Sequence, residues 1–273
     1  MASFVKISEQ SSLYDDLEKK SVHEILTEIN AEDHKVADAV QRAIPQIEQL
    51  VERIVPRMKR GGRIFYIGAG TSGRLGVLDA SEVPPTFGME PIWVIGIIAG
   101  GDRALRNPVE NAEDDADQGW ADLLAHGIDS RDTVIGIAAS GTTPYVIGAL
   151  RQARAAGCLT AAITANPSAP MCEAAEIPIE VVVGPEYVTG SSRMKSGTGQ
   201  KMVCNMISTT VMIRLGRVKG NKMVNMQLTN AKLIDRGTRM LVEELGLPYD
   251  EARRLLLLHG SVQASIDAYS VEH

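Results

Sequence analysis

The sequence predicts an α/β protein: a doubly wound, mainly parallel sheet of about five strands, with helices before it and a small helical appendage after it. Three observations predict it. Five short runs are apolar throughout rather than at alternate positions: Ile64–Ile67, Ile92–Ile98, Val134–Ala138, Leu159–Thr164 and Ile177–Val183. Continuous hydrophobicity marks strands buried on both faces of a parallel sheet. Helical stretches alternate with these runs. Two glycine-hydroxyl segments, Gly68-Ala69-Gly70-Thr71-Ser72-Gly73 and Ala139-Ser140-Gly141-Thr142-Thr143, follow the first and third runs directly.

The elements follow in order. The chain is polar up to about Leu17. Ser21 and Glu24 then form a capping box, followed by Val22, Ile25, Leu26 and Ile29 at helical spacing. A second helix is predicted from Asp33 to Val40. A third begins at Pro45, carries Ile47, Leu50, Val51 and Ile54, is kinked or restarted by Pro56, and ends at Gly61-Gly62. Pro84-Pro85 is read as the stop of the helix after the first strand. Strand-like runs cease by Asn221. Leu228 to Leu245 and Asp250 to Leu258 read as helices, broken at Gly246-Leu247-Pro248-Tyr249. The divisions are therefore an N-terminal helical segment (1–53), the sheet domain (54–217) and the appendage (218–273).

Composition narrows the function classes. A length of 273 residues suffices for one large α/β domain with an appendage. With aromatics at 4%, the core must be aliphatic, and 11 methionines fill its gaps. A net charge of −6 opposes a nucleic-acid partner, whose phosphates need a basic face. No apolar run reaches membrane-spanning length, and the N-terminus is too polar for a signal peptide. Cys158, Cys172 and Cys204 lack metal-ligand spacing and read as reduced core thiols of a cytoplasmic protein. His23, His34, His126 and His259 are scattered and read as structural or exposed; His273 ends the chain.

The two loops carry the chemistry. Their glycines let the backbone turn and approach a ligand, and their hydroxyls precede helices whose free N–H groups attract anions. In a doubly wound sheet, ligands bind at the carboxyl ends of the strands. Together the loops suggest a phosphate held between two strand ends. Two other readings stand beside this one. Gly68, Gly70 and Gly73 also satisfy the dinucleotide spacing G-x-G-x-x-G, although Thr71 and Ser72 bring hydroxyls where such a loop mainly needs bare backbone. Both segments could also be tight turns with incidental hydroxyls.

Several stretches go further. Gly68-Ala69-Gly70-Thr71-Ser72-Gly73-Arg74-Leu75-Gly76, Asp79-Ala80-Ser81-Glu82, Pro84-Pro85-Thr86, Ala138-Ala139-Ser140-Gly141-Thr142-Thr143-Pro144-Tyr145 and Gly190-Ser191-Ser192-Arg193-Met194-Lys195-Ser196-Gly197-Thr198 resemble the N-acetylmuramic acid 6-phosphate etherases. These are lyases built on the sugar isomerase (SIS) fold. The similarity runs from about Ser21 into the helical tail. The resemblance implies cleavage of a lactyl ether from carbon 3 of the sugar by elimination and then water addition, with no metal and no organic cofactor. It implies Glu82 as the acid and Glu113 as the base. By their own setting these are a helix-end carboxylate and a member of an acidic run, and Glu110 shares the predicted helix face of Glu113. Phosphate contacts fall to Ser72, Ser140 and Thr143, the N–H groups of Gly141 and Thr142, and Thr71 as a further candidate. Ala138 stands where the fold often has another serine. Ser192, Arg193 and Lys195 form a third polar cluster, in which a cation could meet the lactate carboxylate or the phosphate, or which is an ordinary charged loop. A homodimer is implied, as is further helix beyond His273 in related chains. A phosphosugar-binding regulator without turnover and an aldose–ketose phosphate isomerase share the fold and remain open alternatives.

Overall fold

Five strands, Ile64–Gly68 (β1), Val94–Ile98 (β2), Thr133–Ile137 (β3), Leu159–Thr164 (β4) and Ile177–Glu180 (β5), form one sheet in the order β2-β1-β3-β4-β5, with every neighbouring pair parallel. A computed structural model describes residues 4–272; His273 lies outside them. The helices are Val22–Arg42 (α1), Ile44–Lys59 (α2), Gly70–Phe87 (α3), Arg103–Arg106 (α4), Gln118–Ala125 (α5), Pro144–Ala155 (α6), Pro170–Ala174 (α7), Lys195–Arg214 (α8), Ala231–Leu245 (α9), Tyr249–His259 (α10) and Val262–Glu272 (α11). The doubly wound expectation holds. Ile64, Tyr66, Ile135, Ile137, Ala161 and Ile163 pack on one face with α1, α2, α3 and α8. Phe65, Ile67, Val134 and Ala162 pack on the other with α5, α6 and α7. Successive side chains of each strand feed opposite cores, which is why the runs carry no polar alternation.

Four local expectations are corrected. The two helices expected before Val40 are one, α1, opened by the predicted Ser21–Glu24 capping box. No Gly or Pro interrupts it, and Glu32, in its polar middle, turns inward. α2 continues through Pro56 without restarting, with Val55 and Met58 on either side of it buried, and it spans the division placed at residue 53. α3 continues through Pro84-Pro85 to Phe87, where Gly88 adopts a left-handed conformation and donates its N–H to the Pro84 carbonyl at 2.9 Å. Buried Val83 and Phe87 hold that last turn, and the Pro85 carbonyl accepts the Gln227 N–H at 3.1 Å. The tail contains a third helix, α11, and closes around its own apolar cluster of Val224, Met226, Leu241, Ala252, Leu256, Val262 and Ile266.

A buried ion pair locks α1 to α8. Lys195 is 1% exposed and Glu32 2%, with Nζ to Oε2 at 2.5 Å. Lys35 Nζ donates to the other oxygen at 2.6 Å and the Tyr14 hydroxyl donates to it at 3.0 Å. Burial pushes the Glu32 carboxyl up, but hydrogen bonds from Lys195, Lys35 and Tyr14 outweigh that and hold it at about 2. Glu186, fully buried, caps α8: its carboxylate accepts the N–H groups of Lys195 and Ser196, each at 2.9 Å, and the Ser196 hydroxyl at 2.7 Å.

Removing Lys195 leaves the buried Glu32 carboxylate with one oxygen unpaired and only Lys35 and Tyr14 on the other. Lys195→Met should cost about 3–5 kcal/mol in urea denaturation, and a Glu32→Gln, Lys195→Met double variant should recover part of that loss. Because the folded-state carboxyl lies below its ordinary 4.5, its contribution is fully present above that pH. It drains away as pH falls toward about 2, by roughly 3 kcal/mol in all. Acid titration of Lys195→Met should show a correspondingly shallower loss.

Candidate functional site

The strand order reverses between β1 and β3, so the crevice at their carboxyl ends is the topological switch point, where doubly wound sheets take ligands. Both glycine-hydroxyl segments lie there. The first is shorter as a loop than the sequence suggests. Ala69 is extended and α3 begins at Gly70, which places Thr71 and Ser72 in its first turn. Gly68 and Gly73 stack backbone on backbone: a Cβ at Gly68 would lie 2.7 Å from Gly73 N, and one at Gly73 would lie 2.7 Å from the Gly68 oxygen. The first and last glycines of the apparent dinucleotide spacing thus serve helix–strand packing.

The second loop runs from Ala138 to Thr143, the residue before α6. Gly141 has φ +68°, and a Cβ there would lie 2.3 Å from Ala169 Cβ and 2.7 Å from Thr164 Oγ1. Ser140 Oγ accepts the Thr142 N–H at 3.2 Å and the Thr142 hydroxyl at 3.1 Å. Thr143 does not spend its side chain on capping α6. From the end of β4, the Thr164 hydroxyl donates to the Ala139 carbonyl at 3.2 Å, and Asn166 Nδ2 donates to the carbonyls of Ala139 (3.2 Å) and Ser140 (3.0 Å). Asn166 is itself fixed by Ser8, whose N–H it accepts at 2.9 Å.

The third polar cluster reaches the first loop through its turn. A Cβ on Gly197 would sit 3.5 Å from both Thr71 Cγ2 and the Ser192 carbonyl, so the Ser192 turn lies beside Thr71. Arg193 is exposed there. Lys195 departs from the expectation: its ammonium is buried on Glu32, which leaves it no free charge for a ligand and explains why it is no ordinary charged loop residue either. Gln200 was not singled out from the sequence, yet its Oε1 accepts the Ser72 hydroxyl at 3.0 Å, and its Nε2 is buried without a partner beside the crevice.

The two glutamates part company. Glu113 lies in a turn and not on the expected helix, because Asn111 is left-handed and Asp115 caps the next helix by accepting the N–H groups of Asp117 and Gln118 at 3.0 Å. Its carbonyl accepts the Tyr145 N–H at 3.0 Å, which pins it to the first turn of α6, next to the second loop. Glu110 shares the turn and makes no such anchor. Glu82 is inside α3 rather than in a loop. It lines a cleft of about 190 Å³ between α3 and α8 with Leu75, Leu78, Asp79, Lys201 and Asn205, which begins one turn after Thr71. Burial raises the Asp79 carboxyl above its usual range, although it accepts from Asn205 Nδ2 at 2.5 Å and the Ser208 hydroxyl at 3.2 Å. One chain therefore gathers Thr71, Ser72, Ser140–Thr143, Ser192, Arg193 and Glu113 around the carboxyl ends of the strands, and Glu82 lies about 15 Å along the α3 axis from Ser72.

Among the described residues, no helix is long and apolar enough to cross a membrane, and no group of three His, Cys, Asp or Glu side chains is placed to hold a metal ion. The cysteines are free. Burial pushes the thiols of Cys158 and Cys172 up to about 11 and about 12, and that of Cys204 well above its usual value.

Residues 46–154 match the family described as glucokinase regulatory protein N-terminal SIS domain, and residues 108–210 match the SIS domain. A protein of Bacteroides fragilis named N-acetylmuramic acid 6-phosphate etherase is 74% identical over 98% of this chain and 95% of its own length. A Porphyromonas gingivalis protein of the same name is 71% identical over 97% of both chains. Among solved structures, a phosphoheptose isomerase from Neisseria gonorrhoeae superposes with a TM-score of 0.54 at 16% identity, covering 70% of this chain and 98% of its own. A putative phosphosugar isomerase from Bacteroides fragilis gives 0.54 at 18% identity, covering 74% and 95%. These structures share the fold.

Gly141→Ala forces a side chain into a left-handed position that already lacks space for it. Urea denaturation should show a loss of about 1–3 kcal/mol, the cost of strain at such a position.

Proposed function

The chain belongs to the N-acetylmuramic acid 6-phosphate etherase family, and on that premise we propose how its residues divide the reaction. It is a lyase that converts N-acetylmuramic acid 6-phosphate to N-acetylglucosamine 6-phosphate and D-lactate. The observation that carries this reading is identity above 70% over nearly the whole chain to proteins of that name. The switch-point crevice supports it, since it offers hydroxyls and helix N-termini to a phosphate.

The phosphate meets the hydroxyls of Ser72, Ser140 and Thr143 and the N–H groups of Gly141 and Thr142, with Thr71 at the margin. Ring opening gives an aldehyde, which makes the proton on carbon 2 acidic. Glu113 takes that proton. As the electron pair forms the bond between carbons 2 and 3, the carbon 3–oxygen bond breaks, and Glu82 gives its proton to the departing lactate oxygen. Water then adds at carbon 3, carbon 2 regains a proton, and the ring closes. Arg193 is the cation free for an anionic group of the substrate, while Lys195 holds the turn that presents it. The working form is a cytoplasmic homodimer, consistent with apolar side chains left open on α1 and α3, where Leu26 is 61% and Leu78 50% exposed.

Incubation with N-acetylmuramic acid 6-phosphate should release D-lactate. Glu113→Gln should lower kcat by about 10²–10⁴-fold, the range of general acid–base catalysis, with little change in KM. Hexose 6-phosphate binding with no lactate release at any enzyme concentration would leave a binding-only regulator instead, and a coupled isomerase assay tests the remaining alternative. Light scattering at micromolar concentration should give twice the chain mass.

A further inference from the structure

We propose that Gln200 is a positioning residue for the phosphate: its side-chain amide decides which way the Ser72 hydroxyl points, and it turns over when a phosphate enters the crevice. The inference rests on the reading of Ser72 as a phosphate ligand, and a conflict over one hydrogen carries it. A serine hydroxyl has a single proton to give. In this structure Ser72 gives it to Gln200 Oε1, at 3.0 Å. Ser72 then shows the crevice only lone pairs, which a phosphate anion repels. Gln200 Nε2 meanwhile is buried with no hydrogen-bond partner. A buried N–H without a partner is rarer in folded proteins than an under-used carbonyl oxygen, and it costs the desolvation of the donor.

Turning the amide over resolves both faults. Rotation by about 180° about the last side-chain bond exchanges Oε1 and Nε2 without moving the helix. Nε2 then donates to Ser72 Oγ, and the freed Ser72 proton points at the phosphate. The chain N–H···O–H···O–P runs in one sense, so each bond polarises the next. Oε1 takes over the unpartnered position, which an acceptor tolerates better. Only the amide and the hydroxyl turn, because their surroundings are held. Gly197, one turn before Gln200, packs on α3: a Cβ there would lie 3.5 Å from Thr71 Cγ2 and 3.9 Å from Leu75 Cδ1. One turn after Gln200, the Cys204 carbonyl accepts the Tyr66 hydroxyl from β1 at 3.3 Å, and Asn205 Nδ2 donates to Asp79 at 2.5 Å. Gln200 is 2% exposed and Ser72 8%, so the amide takes its partner from Ser72 and not from solvent.

The test is a double-mutant cycle on phosphate affinity, with N-acetylglucosamine 6-phosphate as the probe and calorimetry as the readout. Ser72→Ala should weaken binding by about 10–100-fold, the value of a hydrogen bond to a charged group. Gln200→Met keeps the length of the side chain but has no donor. It should weaken binding by about tenfold, with kcat for D-lactate release within about twofold of wild type. Gln200→Glu can only accept at neutral pH and holds the Ser72 proton in the direction seen here, so its loss should exceed that of Gln200→Met. In the Ser72→Ala background, Gln200→Met should change the affinity by less than about twofold, because Gln200 acts through Ser72. Additive losses would overturn the proposal by making Gln200 a direct ligand, and wild-type affinity in Gln200→Met would overturn it outright. Wild-type affinity in Ser72→Ala would instead remove the reading of Ser72 on which it stands. In NMR spectra of the nitrogen-labelled wild-type chain, a side-chain amide proton of Gln200 should move downfield on saturation with the sugar phosphate, as a newly made N–H···O bond requires; an unmoved signal refutes the turn. That signal is assigned by through-bond connectivity, so this measurement stands even where a substitution at Gln200 unfolds the chain.

Discussion

α3 lies on β1 and β2 with almost nothing between them. Gly68 and Gly73 meet backbone to backbone, and Gly76 and Gly96 bring the helix down onto the strands over its next turn. Packed interiors do not deform continuously, so contact this close fixes both the height and the rotation of the helix. Everything α3 carries is fixed with it. Its first turn presents Thr71 and Ser72 at the switch point, its middle sends Asp79 inward, and its last turns carry Glu82 away from the site they open. A β-carbon at Gly73 would lift the helix from β1 and move both ends at once.

α8 is the second rigid body, and it is fixed by charge rather than by close approach. Its buried face is unusually polar, with Lys195, Ser196, Gln200 and Ser208 all nearly inaccessible. Each buried polar group must find a partner or cost a few kcal/mol. Glu186 supplies one at the helix N-terminus, Glu32 another from α1, and Ser72 and Asp79 two more from α3. The consequence is that α1, α3 and α8 share one hydrogen-bonded layer over the sheet. The Ser192 turn and the Thr71 turn cannot move independently. Among the described residues, the buried Nε2 of Gln200 stands in that layer without a partner, next to the crevice.

The legible parts of the chain were those whose cause is local or periodic. Strands buried on both faces announce themselves as unbroken apolar runs, and the Ser21–Glu24 box encodes its own helix start within three residues. The two glycine-hydroxyl segments were legible as strand-end turns because glycine at such a position has a local meaning. What escaped has causes far away in sequence. Ser72 meets Gln200 across 128 residues, Asn166 meets Ser8 across 158, and Lys195 meets Glu32 across 163. No spacing rule joins such pairs. Pro84-Pro85 misled because local propensity ends a helix there, whereas buried Val83 and Phe87 and the Gln227 contact hold the turn together. Glu113 misled in the opposite sense: an acidic run reads as a solvated helix face, but Asn111 and Asp115 spend it on a turn and a cap.

The placement of the two carboxyls bears on why this fold can both bind and cleave. The hydroxyls, the N–H groups and the Asn166 brace at the ends of β1 and β3 all come from loops and one neighbouring strand of a single chain. Elimination asks for more: a base at carbon 2 and an acid at the oxygen on carbon 3, in opposite protonation states at the same moment. Two carboxyls close together in one chain would perturb each other's ionisation. Glu113 sits in the turn before α5 and Glu82 inside α3, so separate elements of the chain carry the two carboxyls. One is held by a turn tied to the start of α6 and the other by the cleft between α3 and α8, so the packing that fixes each is independent of the other.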